Sequence, residues 1–307
     1  MARIVRWLPA LLLTLAGPIV LRAESPPAPA PAPASPALTE PAPAQPPWGR
    51  IYLVGASASA GFTETELFGG TNTARYRLSR YLDAALRVPH EPVRNLATSL
   101  FFFQPLAQGR RQIAQAIRAK PTLVIGLDFL FWYCYGEGLS DAERQELFEE
   151  GLNLLETVPC PLVVGDIPDA SAAVGGMLTL GQMPSAHAMS AANRRLKEWA
   201  AARKQVVIVP LADFMRAAMA NRAVTIHGRT LAPGSTRRLL QSDKLHPSAL
   251  GSAVLSLAVL DAFLAAHPAV PATDVRWDAG EVLRLGLNSL SAVSTNSART
   301  PVPATMP

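Results

Sequence analysis

Five strand-length runs, four of them largely apolar and one (92–98) shorter and more polar, each followed by a stretch with helical periodicity, limit what this 307-residue chain can fold into. The runs are IYLVGA (51–56), PVRNLAT (92–98), TLVIGLD (122–128), PLVVGD (161–166) and QVVIVP (205–210). Continuous apolar runs of this length suit strands buried on both faces. Amphipathic helices are predicted between them at 73–86, 105–119, 140–158 and about 189–203. In the first, Leu78, Tyr81, Leu82, Ala85 and Leu86 share one face. Ser140 and Glu143 predict a capping box at the third. After 205–210 come a short helix and a polar stretch containing His227. A long apolar helix then closes the series over 243–266, with Pro247 near its first turn. Strands alternating with helices in this way predict an α/β domain: a five-stranded parallel sheet covered on both faces. One domain over 48–268 accounts for all five strands.

The chain ends are of a different character. Arg3 and Arg6 precede an apolar run over 8–21, and LRA at 21–23 offers a cleavage site, so 1–23 reads as an export signal. The run is broken by Gly17-Pro18 and falls short of the roughly 20 residues that span a bilayer. Export to the periplasm, envelope or medium is expected, with no stable membrane span in the mature chain. Residues 24–47 hold ten prolines and seven alanines, a semi-rigid spacer with nothing to build a core from. Beyond about 270 the composition turns to Ser, Thr, Pro and Ala, which predicts a mostly disordered tail (269–307) with one short helix near 278–290. The formal charge of +5 includes Arg3, Arg6 and Arg22; without them 25 basic residues face 23 acidic ones. A balance of +2 with no basic stripe excludes a nucleic-acid partner. Cys134 and Cys160 fall at opposite edges of the predicted sheet, beyond disulfide reach, and are expected to be free thiols.

Ligands of open parallel sheets bind past the C-terminal ends of the strands, so the residues there carry the functional signal. After the first strand comes Gly55-Ala56-Ser57-Ala58-Ser59-Ala60-Gly61. Small residues on a tight turn leave a serine hydroxyl exposed, as a nucleophile requires, with Ser57 the first choice and Ser59 its rival. A close-packed turn with no chemistry is the plain alternative. Before the last helix comes Asp243-Lys244-Leu245-His246-Pro247. An Asp three residues before a His can fix the imidazole tautomer and leave the other nitrogen to act as a base. The alternative is an Asp that caps the helix and a His at the surface. After the third strong position, Asp128 is followed by five aromatics in seven residues. Of these, Phe131, Trp132 and Tyr133 either wall a substrate pocket or simply pack. His90, His187, His227 and His267 have no partner at useful spacing and are expected to be solvated, and Arg237 and Arg238 to form a surface pair. No residue cluster suggests a metal.

From about 50 to 266 the sequence resembles the SGNH, or GDSL-like, hydrolases. The likeness rests on the serine motif after the first strand, the strand–helix order and the Asp-x-x-His-Pro motif. It implies a flavodoxin-like sheet and hydrolysis of an acyl ester, such as an acetyl ester, of a small molecule or carbohydrate, with no cofactor. It also implies Ser57 as nucleophile, His246 as base and Asp243 as the group orienting it. The sequence departs from the family at the oxyanion hole. Gly-Asp-Ser is here Gly55-Ala56-Ser57, and Asn95 is present but no glycine follows between Leu96 and Phe103. The family's Gly-x-Asn-Asp reads Gly126-Leu127-Asp128-Phe129, which places Asp128 where an Asn should donate. A carboxyl donates only when protonated, so Asp128 and Asn95 are the oxyanion-position candidates in an altered hole. A protein that keeps the fold as a binding or scaffold module, with turnover weakened, is the alternative that these departures raise.

Overall fold

A computed structural model describes residues 46–67 and 69–297, with side chains as far as Leu290. The export signal, nearly all of the Pro/Ala spacer and the last ten residues lie outside the described residues. In chain order the elements are β1 (Ile51–Leu53), α1 (Ser57–Ala60), α2 (Thr71–Ala74), α3 (Leu78–Ala85), β2 (Arg94–Asn95), α4 (Pro105–Arg118) and β3 (Leu123–Gly126). There follow α5 (Phe131–Cys134), α6 (Asp141–Glu156), β4 (Leu162–Gly165), α7 (Ala186–Ala201), β5 (Val206–Val209) and α8 (Leu211–Met219). A hairpin of β6 (Val224–Ile226) and β7 (Arg229–Leu231) leads to α9 (Ala249–Ala266) and α10 (Ala279–Ser297). The five main strands form one parallel sheet in the order β2-β1-β3-β4-β5. This is the flavodoxin-like order, and its direction reverses between β1 and β3.

Side chains alternate across the strands and so divide the interior into two cores. Leu53, Ile125, Val163 and Val207 pack with α3 and α9 on one face. Val54, Val124, Leu162 and Val164 pack with α4 to α7 on the other. Helix α9 is long and apolar enough to cross a membrane, yet it is the core helix here, with Val254, Leu257, Leu260 and Phe263 buried against the sheet. The capping box at α6 forms as its sequence requires: Ser140 Oγ accepts the Glu143 amide, and Glu143 reaches back to the Ser140 amide.

Four local features differ from the sequence reading. The helix expected at 73–86 is broken in two. Arg77 is extended, because the chain there runs hard against Gly61: a Cβ at that glycine would lie 2.7 Å from Thr73 O and 2.9 Å from Arg77 N. The strand expected at 92–98 is regular over Arg94–Asn95 only: Pro92 has no N–H to give, although the Leu96 and Thr98 amides still donate to Leu53 O and Gly55 O. The polar stretch around His227 is a hairpin, turned by His227 and Gly228, both with positive φ. Finally, the domain continues past 268. Asp274 accepts from the Trp48 indole, Arg276 donates to Leu86 O, and Val282 is fully buried against the core. The apolar face of α10 supplies a third layer over α3 and α9, which composition alone concealed.

Candidate active site

At the C-terminal edge of the sheet, β1 runs into a turn that several buried groups hold from below. Gly55 (φ 139°) donates its amide to Gln112 Oε1 at 2.7 Å, and its carbonyl accepts Gln112 Nε2 at 3.0 Å. A Cβ at Gly55 would lie 2.2 Å from Asp128 Oδ1, so only glycine fits. Asp128 reaches across from the end of β3 and accepts four hydrogen bonds. Oδ1 takes Ala56 N (3.1 Å) and Ser59 Oγ (2.6 Å); Oδ2 takes Ala58 N (2.8 Å) and Ser59 N (3.1 Å). Burial pushes the Asp128 carboxyl above its ordinary range, against the pull of the Ser59 hydroxyl and the Ala56 and Ser59 amides. Sequence reasoning missed Gln112, which sits on α4 with nothing in its local pattern to mark it. Replacing it with Leu strands the Gly55 amide in the interior, an expected cost of about 1–3 kcal/mol, measurable by urea denaturation.

The turn separates the two serines. Ser59 is fully buried with its hydroxyl committed to Asp128, whereas Ser57 is half-exposed on the upper side. The Ser57 hydroxyl lies 2.8 Å from His246 Nε2, and His246 Nδ1 lies 2.7 Å from Asp243 Oδ2. Asp243 can only accept here, so Nδ1 carries the proton and Nε2 offers its lone pair to the hydroxyl. Asp243 Oδ1 accepts the amides of Leu245 and His246, both at 2.9 Å. Lys244 takes a left-handed conformation (φ 57°) between them, a strained backbone that lets the turn close on its own carboxylate. Phe62 stacks on the His246 ring at 4.0 Å and restricts its rotation. Gln241 ties this loop down by donating to Phe62 O and Pro247 O.

Burial alone would raise the Asp243 carboxyl, but the hydrogen bonds and charge of His246 outweigh it and hold the group below its ordinary range. A lowered carboxyl contributes stability that is fully present above the unfolded value, near 3.9. That contribution is lost as pH falls through the lower folded value. Asp243→Asn should therefore remove part of the acid denaturation as well as the orienting charge. By analogy with tautomer-fixing carboxylates elsewhere, kcat should fall about 10⁴-fold.

The two oxyanion-position candidates differ: the turn takes up both Asp128 oxygens, while Asn95 uses one of its two side-chain N–H groups. Asn95 Nδ2 donates to Ser59 O at 3.0 Å while its Oδ1 accepts Ala97 N. Asp128 accepts from the turn and is no donor to a substrate oxygen in this arrangement. Both side chains brace the Ser57 turn. Asp128 takes the amides of Ala56, Ala58 and Ser59 and passes over that of Ser57, which makes no hydrogen bond among the described residues.

Two cavities flank the Ser57 hydroxyl. One, of about 50 Å³, is lined by apolar side chains that include Phe131, Trp132, Phe214, Met215 and Leu245. The other, of about 100 Å³, lies on the far side of Trp132 among Phe62, Ser99, Phe102, Met177 and Gln182. Phe131 and Trp132 thus line the site, but Tyr133 does not. It points down between α4 and α6, with its hydroxyl on Pro105 O. The expectation of solvated histidines also needs correction. His90 meets Asp83, His227 meets Asp261 and stacks on Trp277, and His267 Nδ1 bonds Phe263 O; His187 and His227 are exposed. Arg237 and Arg238 are exposed. Both cysteines are free thiols, their pKa values pushed up by burial to about 12 for Cys134 and about 11 for Cys160.

No family model matches the sequence, and no curated protein does. Among solved structures, the chain is similar to the lipase/acylhydrolase from Enterococcus faecalis, at 15% identity and a TM-score of 0.47, over 75% of this chain and 98% of that one. It is similar to an acetylxylan esterase from Geobacillus stearothermophilus at 15% identity and a TM-score of 0.42, over 71% and 93%. The psychrotrophic esterase EstA from Pseudoalteromonas sp. gives 15% identity and a TM-score of 0.40, over 70% and 96%.

Proposed function

We propose that this chain is an exported serine esterase of the SGNH type that hydrolyses short acyl esters. The observation that carries the proposal is the unbroken chain from hydroxyl to imidazole to carboxylate, Ser57–His246–Asp243, with links of 2.8 and 2.7 Å. His246 Nε2 takes the Ser57 proton as Oγ bonds to the ester carbon, and the carbonyl π pair moves to oxygen. When the oxyanion collapses, the C–O bond to the alcohol breaks and the imidazolium protonates the departing oxygen. Water, deprotonated by the same nitrogen, then attacks the acyl-serine; as this second oxyanion collapses the acyl C–Oγ bond breaks, the carboxylic acid leaves and the imidazolium returns the proton to Oγ. The unpaired Ser57 amide is the donor best placed for the oxyanion.

The 50 Å³ cavity holds roughly three to five water-sized volumes. That size favours an acyl chain of a few carbons over an octanoyl chain. Rates on p-nitrophenyl esters should peak between acetyl and butyryl and fall steeply by octanoyl, and Phe214→Ala should move the optimum to longer chains. A serine-directed phosphonate with mass spectrometry tests the assignment itself: Ser57 should carry the label. Because Asp128 accepts from the turn at the position where an oxyanion donor is expected, a fold-retaining binding protein with weak turnover is the second reading. It predicts a labelled Ser57 with slow turnover on every ester.

A further inference from the structure

The rim of the site carries a feature that ester chemistry alone does not need. Among the described residues, five large hydrophobic side chains are exposed, and four of them sit on loops around the mouth: Leu67 (49%), Phe102 (39%), Phe103 (67%) and Leu180 (78%). Contacts join these loops into one surface. Phe102 stacks on Phe103 at 4.1 Å and meets Trp132 at 5.6 Å. The Ser99 hydroxyl bonds Leu67 O at 3.1 Å, and Met177 and Gln182, on either side of Leu180, line the second cavity with Phe102. Two rim segments carry no ionisable residue, Asn95 to Gly109 and Ala170 to Ala186; the carboxylates of the rim are Glu64 and Glu66 beside Leu67, and Glu137, which accepts from Thr179. Water-facing loops seldom combine exposed Phe and Leu with a lack of charge, and an exposed apolar patch of this kind marks a contact surface.

From this rim and the two cavities we infer that the site takes its ester from a neutral apolar surface such as a micelle or bilayer. On this view the short acyl group enters the cavity lined by Phe131, Phe214 and Met215, and a hydrocarbon-like alcohol runs past Trp132 and Phe102 onto the rim. Continuity favours that occupant: the two cavities share Trp132 and Leu245 in their linings, and Phe102 of the second stacks on Phe103 at the rim. A sugar would call for a fork of polar side chains, and the second cavity offers only Ser99 and Gln182 beside the Ser57–His246 pair. The inference rests on the esterase reading above and adds the class of alcohol.

The experiment uses the full chain, phosphatidylcholine vesicles and two acetyl esters, soluble p-nitrophenyl acetate and dispersed dodecyl acetate. The wild type and Ser57→Ala should both sediment with vesicles, since binding needs no turnover. In Phe103→Ser/Leu180→Ser, vesicle binding should fall about ten-fold or more, as expected for losing the burial of one Phe and one Leu. The rate ratio of dodecyl acetate to p-nitrophenyl acetate should fall to match. Met219→Ser, which removes the exposed hydrophobic at the last turn of α8, should behave as the wild type in both measurements. Three results overturn the inference: a wild type that stays in the supernatant, a double variant that sediments as well as the wild type, or an acetylated xylo-oligosaccharide hydrolysed in preference to dispersed dodecyl acetate. Absence of p-nitrophenyl acetate hydrolysis, with vesicle binding intact, would instead sink the esterase reading.

Discussion

Replacing Ser57 by alanine should abolish phosphonate labelling and lower turnover by up to about 10⁶-fold, the loss seen when a triad nucleophile is removed. The geometry makes the expectation specific. Ser57 Oγ is the hydroxyl within hydrogen-bonding reach of His246 Nε2, and the ring is held both by Asp243 and by the face of Phe62. Ser59→Ala should leave labelling in place, because that hydroxyl is fully buried and donates to Asp128. It removes one buried hydrogen bond, worth about 1 kcal/mol of stability. Persistent labelling of Ser57→Ala would refute the nucleophile. Labelling lost in Ser59→Ala but kept in Ser57→Ala would exchange their roles.

The second large effect is expected at Asp128. Each of its oxygens accepts two hydrogen bonds. Asn puts an NH₂ group where one oxygen was, so at least one amide of the turn then faces a donor. A buried amide left without an acceptor costs about 1–3 kcal/mol. Displacement of the turn moves Ser57, and about 1 Å of misplacement at a reacting atom costs about 100-fold in rate. Asp128→Asn should therefore lose about 100-fold or more of kcat at every pH. Its stability should respond differently to pH. Burial raises the Asp128 carboxyl in the folded state. Such a group contributes stability that is fully present below the unfolded value and lost as pH rises through the raised one. Asn does not ionise and should flatten that part of the stability profile. A pH–rate profile with an alkaline limb in the wild type, abolished by Asp128→Asn at undiminished rate, would show instead that a protonated Asp128 donates to the oxyanion.

The two aspartates show where sequence reading stops. Asp243 and His246 are three residues apart, so any turn that starts a helix brings them together, and the pairing was legible from spacing. Asp128 and Ser57 are 71 positions apart. Their meeting depends on β1 and β3 being neighbours in the sheet, and the direction in which Asp128 points depends on Gly55 leaving it room. The family likeness placed Asp128 near the oxyanion, whereas the coordinates place it beneath the nucleophile turn. Gln112 gave no signal at all: a glutamine on an amphipathic helix is unremarkable until its amide is found paired with both groups of Gly55.

Local chemistry decided the rest of what could be read early. Apolar runs of strand length, amphipathic periods between them, the Ser140 cap and the Asp-x-x-His turn all act within a few residues, so the sequence by itself determined the α/β alternation, the parallel sheet and the pairing of Asp243 with His246. The tertiary structure decided which serine is exposed, that Tyr133 packs away from the site while Trp132 divides its two cavities, and that α10 belongs to the domain. Each of these turns on contact between segments far apart in the chain. The free energy of such contacts lies in burial and in satisfying buried polar groups, neither of which is set by near neighbours in sequence.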